Sequence, residues 1–208
     1  IVFGNNDTPG VVLASAAKEY LKVYGVLVGK KPLIFTNNDS AYETAIEFKK
    51  NNINPIILDT RKNPESEIIS EAKNMGIEMK FSYVVVAAKG YKKVNSAEIA
   101  NISEDKKDLG KIENINCDCI CVSGFWTPTI HLASQSGNKT KFNEEIDAFV
   151  PSKSKQKETT LGSANGIFTL EETIKSSFEK GNELSKQITN TENKISVPTV
   201  VEKKHSSH

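Results

Sequence analysis

The sequence predicts an α/β fold built around a parallel sheet. Leu33-Ile-Phe-Thr36 reads as a buried strand that passes through the tight turn Asn37-Asn38-Asp39 into a helix from Ser40. Ile56-Ile-Leu-Asp59 is a second, continuously apolar strand ending in an acid, and unbroken apolar runs of this kind mark parallel strands covered on both faces. The two together make the βαβ unit with which dinucleotide-binding folds open, where the acid bonds a ribose hydroxyl. The glycines that let a pyrophosphate approach the backbone are replaced by Thr36, Asn37, Asn38 and Asp39. The fold is therefore plain in the sequence, while its ligand chemistry stays open.

The remaining elements follow in order. Ile1-Val2-Phe3 is strand-like, and because it begins without methionine or lead-in the chain is expected to be a piece of a longer polypeptide. Asn5-Asn-Asp-Thr-Pro-Gly10 is a turn. A helix is expected over 11–24, with Leu13, Ala16, Ala17, Tyr20, Leu21 and Tyr24 on one face, closed by Gly25 and by Gly29-Lys-Lys-Pro32. The helix from Ser40 to Asn52 offers Ala41, Tyr42, Ala45, Ile46 and Phe48 to the core. Asp39 or Ser40 can cap it, and Glu43 suits its positive end. Pro64 opens a third helix, which Gly76 ends. Met79–Ala87 reads as a third strand, and Gly90–Val94, Ser96–Ile102 and Lys111–Ile115 as a meander. Cys117–Val122 is the last strongly buried strand. Beyond it come Thr127-Pro128, the apolar Ile130-His131-Leu132, Phe142–Phe149, a charged loop over 152–160, the glycine-bracketed Leu161–Gly166 and a helix from Leu170 to about Ile188. From Thr189 onward periodicity is lost, as in a linker.

Composition narrows the function classes. A net charge of +1 supplies no basic field for nucleic acid, and Arg61 is the only arginine among 208 residues, which rules out clamping of phosphate by several guanidinium groups. No apolar run approaches the roughly 18–20 residues needed to span a bilayer, and no signal peptide is expected. Cys117, Cys119 and Cys121 alternate along one apolar strand, which places them on one face as buried thiols, in keeping with a reducing cytoplasm; no metal site is expected.

Four stretches carry a further likeness: Ile1-Val-Phe-Gly-Asn-Asn-Asp-Thr-Pro-Gly-Val-Val-Leu-Ala14, Thr36-Asn-Asn-Asp-Ser-Ala-Tyr42, Ser123-Gly-Phe-Trp-Thr-Pro-Thr-Ile-His-Leu132 and Ala148-Phe-Val-Pro151. With them the chain, from Ile1 to about Lys186, resembles the central part of the α subunit of heterotetrameric sarcosine oxidase. The α subunits of related amine and proline dehydrogenases share much of the pattern. The resemblance implies a flavoenzyme complex that oxidatively demethylates sarcosine to glycine, passing the N-methyl carbon to tetrahydrofolate and forming hydrogen peroxide. NAD would be held by the α subunit, FAD by another subunit and FMN at a subunit interface. It also implies the fold of the flavoprotein disulfide reductases, in which a second Rossmann-like dinucleotide domain is inserted into the first. On that pattern residues 1–30 are a partial first domain, 31–116 the inserted domain, 117–188 the return to the first, and 189–208 a tail. The glycine-rich phosphate loop would lie before Ile1 and the folate domain beyond His208.

Candidate cofactor-binding residues follow. Asn38, Asp39 and Ser40 stand at a helix amino end, where free amides attract anions; against this, Asp39 is itself anionic, and a capped turn that fills the vacated pocket explains the same residues. Asp59 is at the ribose position, with Arg61 two residues on as an acceptor for a 2′-phosphate; both are also ordinary polar residues at a strand end. Gly124, Phe125, Thr127 and Pro128 close the strand where the resemblance puts a dinucleotide, or else form a hinge turn with an aromatic anchor. Gly162, Asn165 and Gly166 lie where the resemblance puts a backbone turn against the flavin or nicotinamide end, or else form an ordinary glycine-rich strand-to-helix loop. His131, alone on an apolar segment, reads as structural rather than catalytic, and no catalytic residue is expected. Two functions compete: a segment that helps to cradle NAD and meets the flavin-carrying subunit, and a scaffold that binds no nucleotide.

Overall fold

The computed structural model describes residues 1–103, 105, 108–189 and 196–200. Two compact units divide the chain at Phe125/Trp126. In the first unit the order is β1 (Val11–Leu13), α1 (Ala14–Tyr24), β2 (Pro32–Thr36), α2 (Ser40–Lys50), β3 (Ile56–Asp59), α3 (Glu67–Asn74), β4 (Glu78–Phe81), β5 (Tyr83–Lys89), β6 (Ser96–Asn101), β7 (Glu113–Asn116) and β8 (Cys119–Ser123).

Strands β1, β8, β2, β3 and β4 lie side by side in that order, all parallel. Strands β5, β6 and β7 form a separate antiparallel sheet. The alternation of side chains along β2 accounts for the layering. Ile34 packs with Ala17, Leu21, Tyr42, Ala45 and Phe48 under the helices. Leu33 and Phe35 point the other way, into a cluster with Val85, Ile99 and Val122 that joins the parallel sheet to the antiparallel one. Every residue of β2 is buried, as its unbroken apolar run requires.

Several sequence expectations change. Val11–Leu13 is extended rather than helical, because these residues pair with Ile120–Val122 of β8 and two adjacent valines suit a strand. The run expected as a single third strand breaks at Ser82, whose φ of 57° turns the chain out of one sheet and into the other. Gly90–Val94 is a turn, not a strand. The carboxylate of Asp118 accepts hydrogen bonds from the amides of Lys30 (2.8 Å) and Lys31 (2.7 Å), fastening the start of β8 to that of β2. Gly29 is required beside this joint, since a Cβ there would stand 2.5 Å from the Cys119 sulfur. The bend at Asp118 also separates the cysteines: Cys119 and Cys121 face the helices, whereas Cys117 packs on the opposite side.

β8 lies between β1 and β2, so the parallel sheet takes in strands from both 1–30 and 117–188 as well as from 31–116, and the unit runs on to Phe125. Burial of β8 is legible in its residues; which strands flank it is set by a crossover that sequence order leaves undetermined.

The second unit, from Trp126, contains α4 (His131–Gln135), the antiparallel hairpin of β9 (Thr140–Asn143) and β10 (Ala148–Pro151), a 3-10 turn over Gly162–Asn165 and the long helix α5 (Leu170–Thr189). The stretch 189–208, expected as a tail, lies mostly outside the described residues.

Candidate functional site

β2, β3 and β8 end together, and the loops that follow them in this unit carry Asn38, Asp39, Arg61, Gly124 and Phe125. Order reverses between β2 and β8, since the chain runs β2, β3, β4 in one direction and places β8 on the other side of β2. This reversal is where open α/β sheets receive ligands.

The turn after β2 is held from within. Thr36 Oγ1 donates to the Asn38 carbonyl at 2.8 Å and accepts from the Asn38 amide at 3.1 Å. Asn38 Oδ1 accepts from the Ser40 amide at 3.0 Å and from Ser40 Oγ at 2.6 Å, so the cap of α2 comes from Asn38 rather than from Asp39 or Ser40 themselves, a local side-chain turn typical of asparagine. The Asn38 amide group donates to Asn37 Oδ1 and reaches across to the carbonyl of Gly124.

Asp39 and Asp59 are both fully buried, and Arg61 joins them. Its Nη2 lies 2.8 Å from Asp39 Oδ1 and 2.8 Å from Asp59 Oδ2. Asp59 Oδ1 further accepts from the Arg61 amide (2.9 Å) and Nε (3.1 Å), and Asp59 Oδ2 accepts from the Tyr42 hydroxyl at 2.8 Å. A carboxylate offers about four acceptor positions, and these partners take them. Burial works to lower the Arg61 pKa, but hydrogen bonds and charge from Asp59 and then Asp39 outweigh it and hold the guanidinium above its ordinary value. Burial, followed by the charge of Asp59, pushes the Tyr42 hydroxyl well above the usual phenol range, so it remains a donor.

The consequence for a dinucleotide is direct. A ribose hydroxyl at Asp59 would have to displace Tyr42 or Arg61. A pyrophosphate at the amino end of α2 would meet the Asp39 carboxylate where related folds have glycine. Arg61 is engaged by two acids and does not stand ready for a 2′-phosphate. This sheet end does not fit NAD. Sequence reasoning placed Tyr42 in the core without its bond to Asp59, and did not see the link from Ser40 to Ser123; neither partner is near in sequence.

Gly124 has its missing Cβ position 3.1 Å from the Ile1 nitrogen, so the close approach allowed by this glycine is made by the chain itself. Phe125 is 61% exposed. In the second unit Thr127 is exposed and Pro128 buried. Gly162 and Gly166 both have left-handed backbones, with φ of 62° and 83°. A Cβ on Gly162 would stand 3.0 Å from Thr173 Cγ2, and one on Gly166 would stand 2.7 Å from Ile146 Cδ1 and 3.9 Å from Pro128 Cγ. Pro128 and the glycine-bracketed turn thus adjoin, with the Asn165 side chain exposed beside them. His131 begins α4 and is exposed. Among the described residues no group of three or more His, Cys, Asp or Glu is placed to hold a metal ion, and no helix is long and apolar enough to cross a membrane.

No protein-family model matches the chain. Over 170 residues it is 32% identical to the sarcosine oxidase subunit alpha of Corynebacterium sp. (strain P-1), an alignment covering 81% of this chain and 17% of that protein. The sarcosine oxidase subunit alpha of Rhizobium meliloti (strain 1021) is 34% identical over 151 residues, covering 72% of this chain and 14% of the relative. The chain therefore spans less than a fifth of the length of these curated relatives. Among solved structures, Lactococcus lactis thioredoxin reductase superposes with a TM-score of 0.61 at 15% identity, covering 81% of this chain and 55% of that one. The bacillithiol disulfide reductase of Staphylococcus aureus gives 0.53 at 14% identity, covering 86% and 58%. The fold is thus the Rossmann-like α/β fold of the flavoprotein disulfide reductases. By sequence, the chain is similar to a segment of the sarcosine oxidase α subunit.

Proposed function

We propose that the chain works within the α subunit of a multi-subunit flavoenzyme that oxidatively demethylates sarcosine to glycine, forming hydrogen peroxide and handing the one-carbon unit to tetrahydrofolate. The relatives' shared name supports the reaction. In this reading the parallel-sheet unit is a nucleotide-free platform that presents surface to the flavin-carrying subunit. Contact with NAD falls instead to Thr127, Asn165 and Gly166, while FAD and FMN are held elsewhere in the complex. The observation that carries this division is the Asp39–Arg61–Asp59 cluster, buried and closed on itself at the end of the sheet. A related amine or proline dehydrogenase complex is the alternative setting for the same platform.

The test uses the intact complex. Sarcosine should drive peroxide formation, and NAD should raise the melting temperature with concentration. Asp59→Asn should leave the NAD-dependent shift unchanged, whereas Asn165→Ala should reduce it. A shift abolished by Asp59→Asn would overturn the division, and indifference to sarcosine with turnover of another amine would favour the alternative setting.

A further inference from the structure

We propose that Asn38 pins a clasp that fixes the path of the chain as it leaves β8, a conformational device occupying the place where related sheets hold a ligand. The inference concerns chain path and does not rest on the proposed activity. Asn38 is 4% exposed, and its side-chain bonds divide into two sets. One set is local, to Asn37 and Ser40. The other crosses the reversal in strand order: Asn38 Oδ1 accepts from Ser123 Oγ at 3.3 Å, and the Asn38 amide group donates to the Gly124 carbonyl. Ser40 Oγ adds a third link, 3.0 Å from Ser123 Oγ. Residues 85 and 86 positions away in sequence are thereby tied to the first turn of α2.

The opposite side of Gly124 is closed by Ile1, whose nitrogen and Cγ1 lie 3.1 and 3.3 Å from where a Cβ would stand. The segment containing Ile1 is itself anchored to the same unit. Phe3 packs edge-on against Phe35 with ring centres 5.9 Å apart. Gly4 donates to the Val86 carbonyl and accepts from the Ala88 amide, both at 2.8 Å. Asn5 Nδ2 donates to the Ala88 carbonyl at 3.1 Å. Gly124 is held between two fastened elements, and the exposed Phe125 follows it as the last residue of the unit. Breaking a buried hydrogen bond frees the local backbone it restrains, and local opening is read by amide exchange.

Hydrogen exchange on the full-length protein tests the clasp. Asn38→Asp keeps an oxygen for the Ser40 amide but loses the donor to Gly124. Exchange across Ser123–Trp126 should rise about tenfold, while the Tyr42–Ile46 segment of α2 stays within about twofold. Ser123→Ala, a milder change, should give a rise of roughly threefold confined to the same segment. Unchanged exchange at Ser123–Trp126 in both variants, or a uniform rise across the unit, would overturn the proposal. Protection at Gly162–Gly166 on adding NAD reports separately on the functional reading and leaves this comparison intact.

Discussion

The two units solve the problem of burial in opposite ways. Residues Ile1–Phe125 enclose Tyr42, Phe35, Phe48, Leu33, Ile34, Ile57, Leu58 and Ile120 almost completely, and even their charged groups Asp39 and Asp59 are sealed. From Trp126 on, Pro128, Ala133, Ala148 and Val150 are the buried apolar side chains among the described residues, while Leu132, Phe142, Phe149, Leu170 and Ile188 stand well exposed. Helix α5 has five apolar positions at 170, 174, 178, 184 and 188, none of them fully buried. A fully buried large apolar side chain contributes roughly 1.5–3 kcal/mol relative to an exposed one, so the first unit carries most of the stability described here. The difference teaches where each unit can bind: the first has turned its ligand-receiving edge inward, and the second keeps polar and apolar groups on its surface.

The sharpest way to break that contrast is Arg61→Ala, which leaves two fully buried carboxylates without their guanidinium. It should destabilise the first unit by about 3–5 kcal/mol, measured as a fall in the denaturant midpoint; a loss under about 1 kcal/mol would mean that the cluster behaves as a solvated surface pair. Next, Leu58→Ala should cost about 2–5 kcal/mol in the same titration. Phe149→Ala, in the exposed T-shaped pair with Phe142, should cost less than about 1.5 kcal/mol. Equal losses would erase the distinction between the units. Gly162→Ala tests the second unit by itself: a side chain at φ 62° should cost about 1–2 kcal/mol, visible as faster proteolysis around the turn.

The smallest effect at neutral pH concerns Cys117. Burial, then the neighbouring Cys119 and Asp118, pushes its thiol from 9.0 up to about 12. The folded chain therefore holds this proton more tightly than the unfolded chain, and the unfolded state binds fewer protons once pH exceeds its own value. The associated stability is present in full below about pH 9 and is lost as pH rises towards about 12. Melting curves between pH 8 and 11 should fall monotonically, and alkylation of Cys117 at pH 8 should be slow until the protein unfolds.

Much of the first unit was legible in its residues. The strands Leu33–Thr36 and Ile56–Asp59 and the helix from Ser40 declare themselves by unbroken apolar runs and a clear start signal, because both are local consequences of side-chain period and turn chemistry. The replacement of glycine by Asn38 and Asp39 was equally visible, and so was the doubt it cast on phosphate binding. Tertiary structure alone decided the rest. It put β8 between β1 and β2, split the third strand at Ser82, drew Val11–Leu13 out of the helix, and brought Arg61 between Asp39 and Asp59. It also joined Asn38 to Gly124 across 86 positions. These outcomes depend on which distant groups meet once the sheet has formed, and a pattern of period two or 3.6 records only which face a residue turns inward, not the partner waiting there.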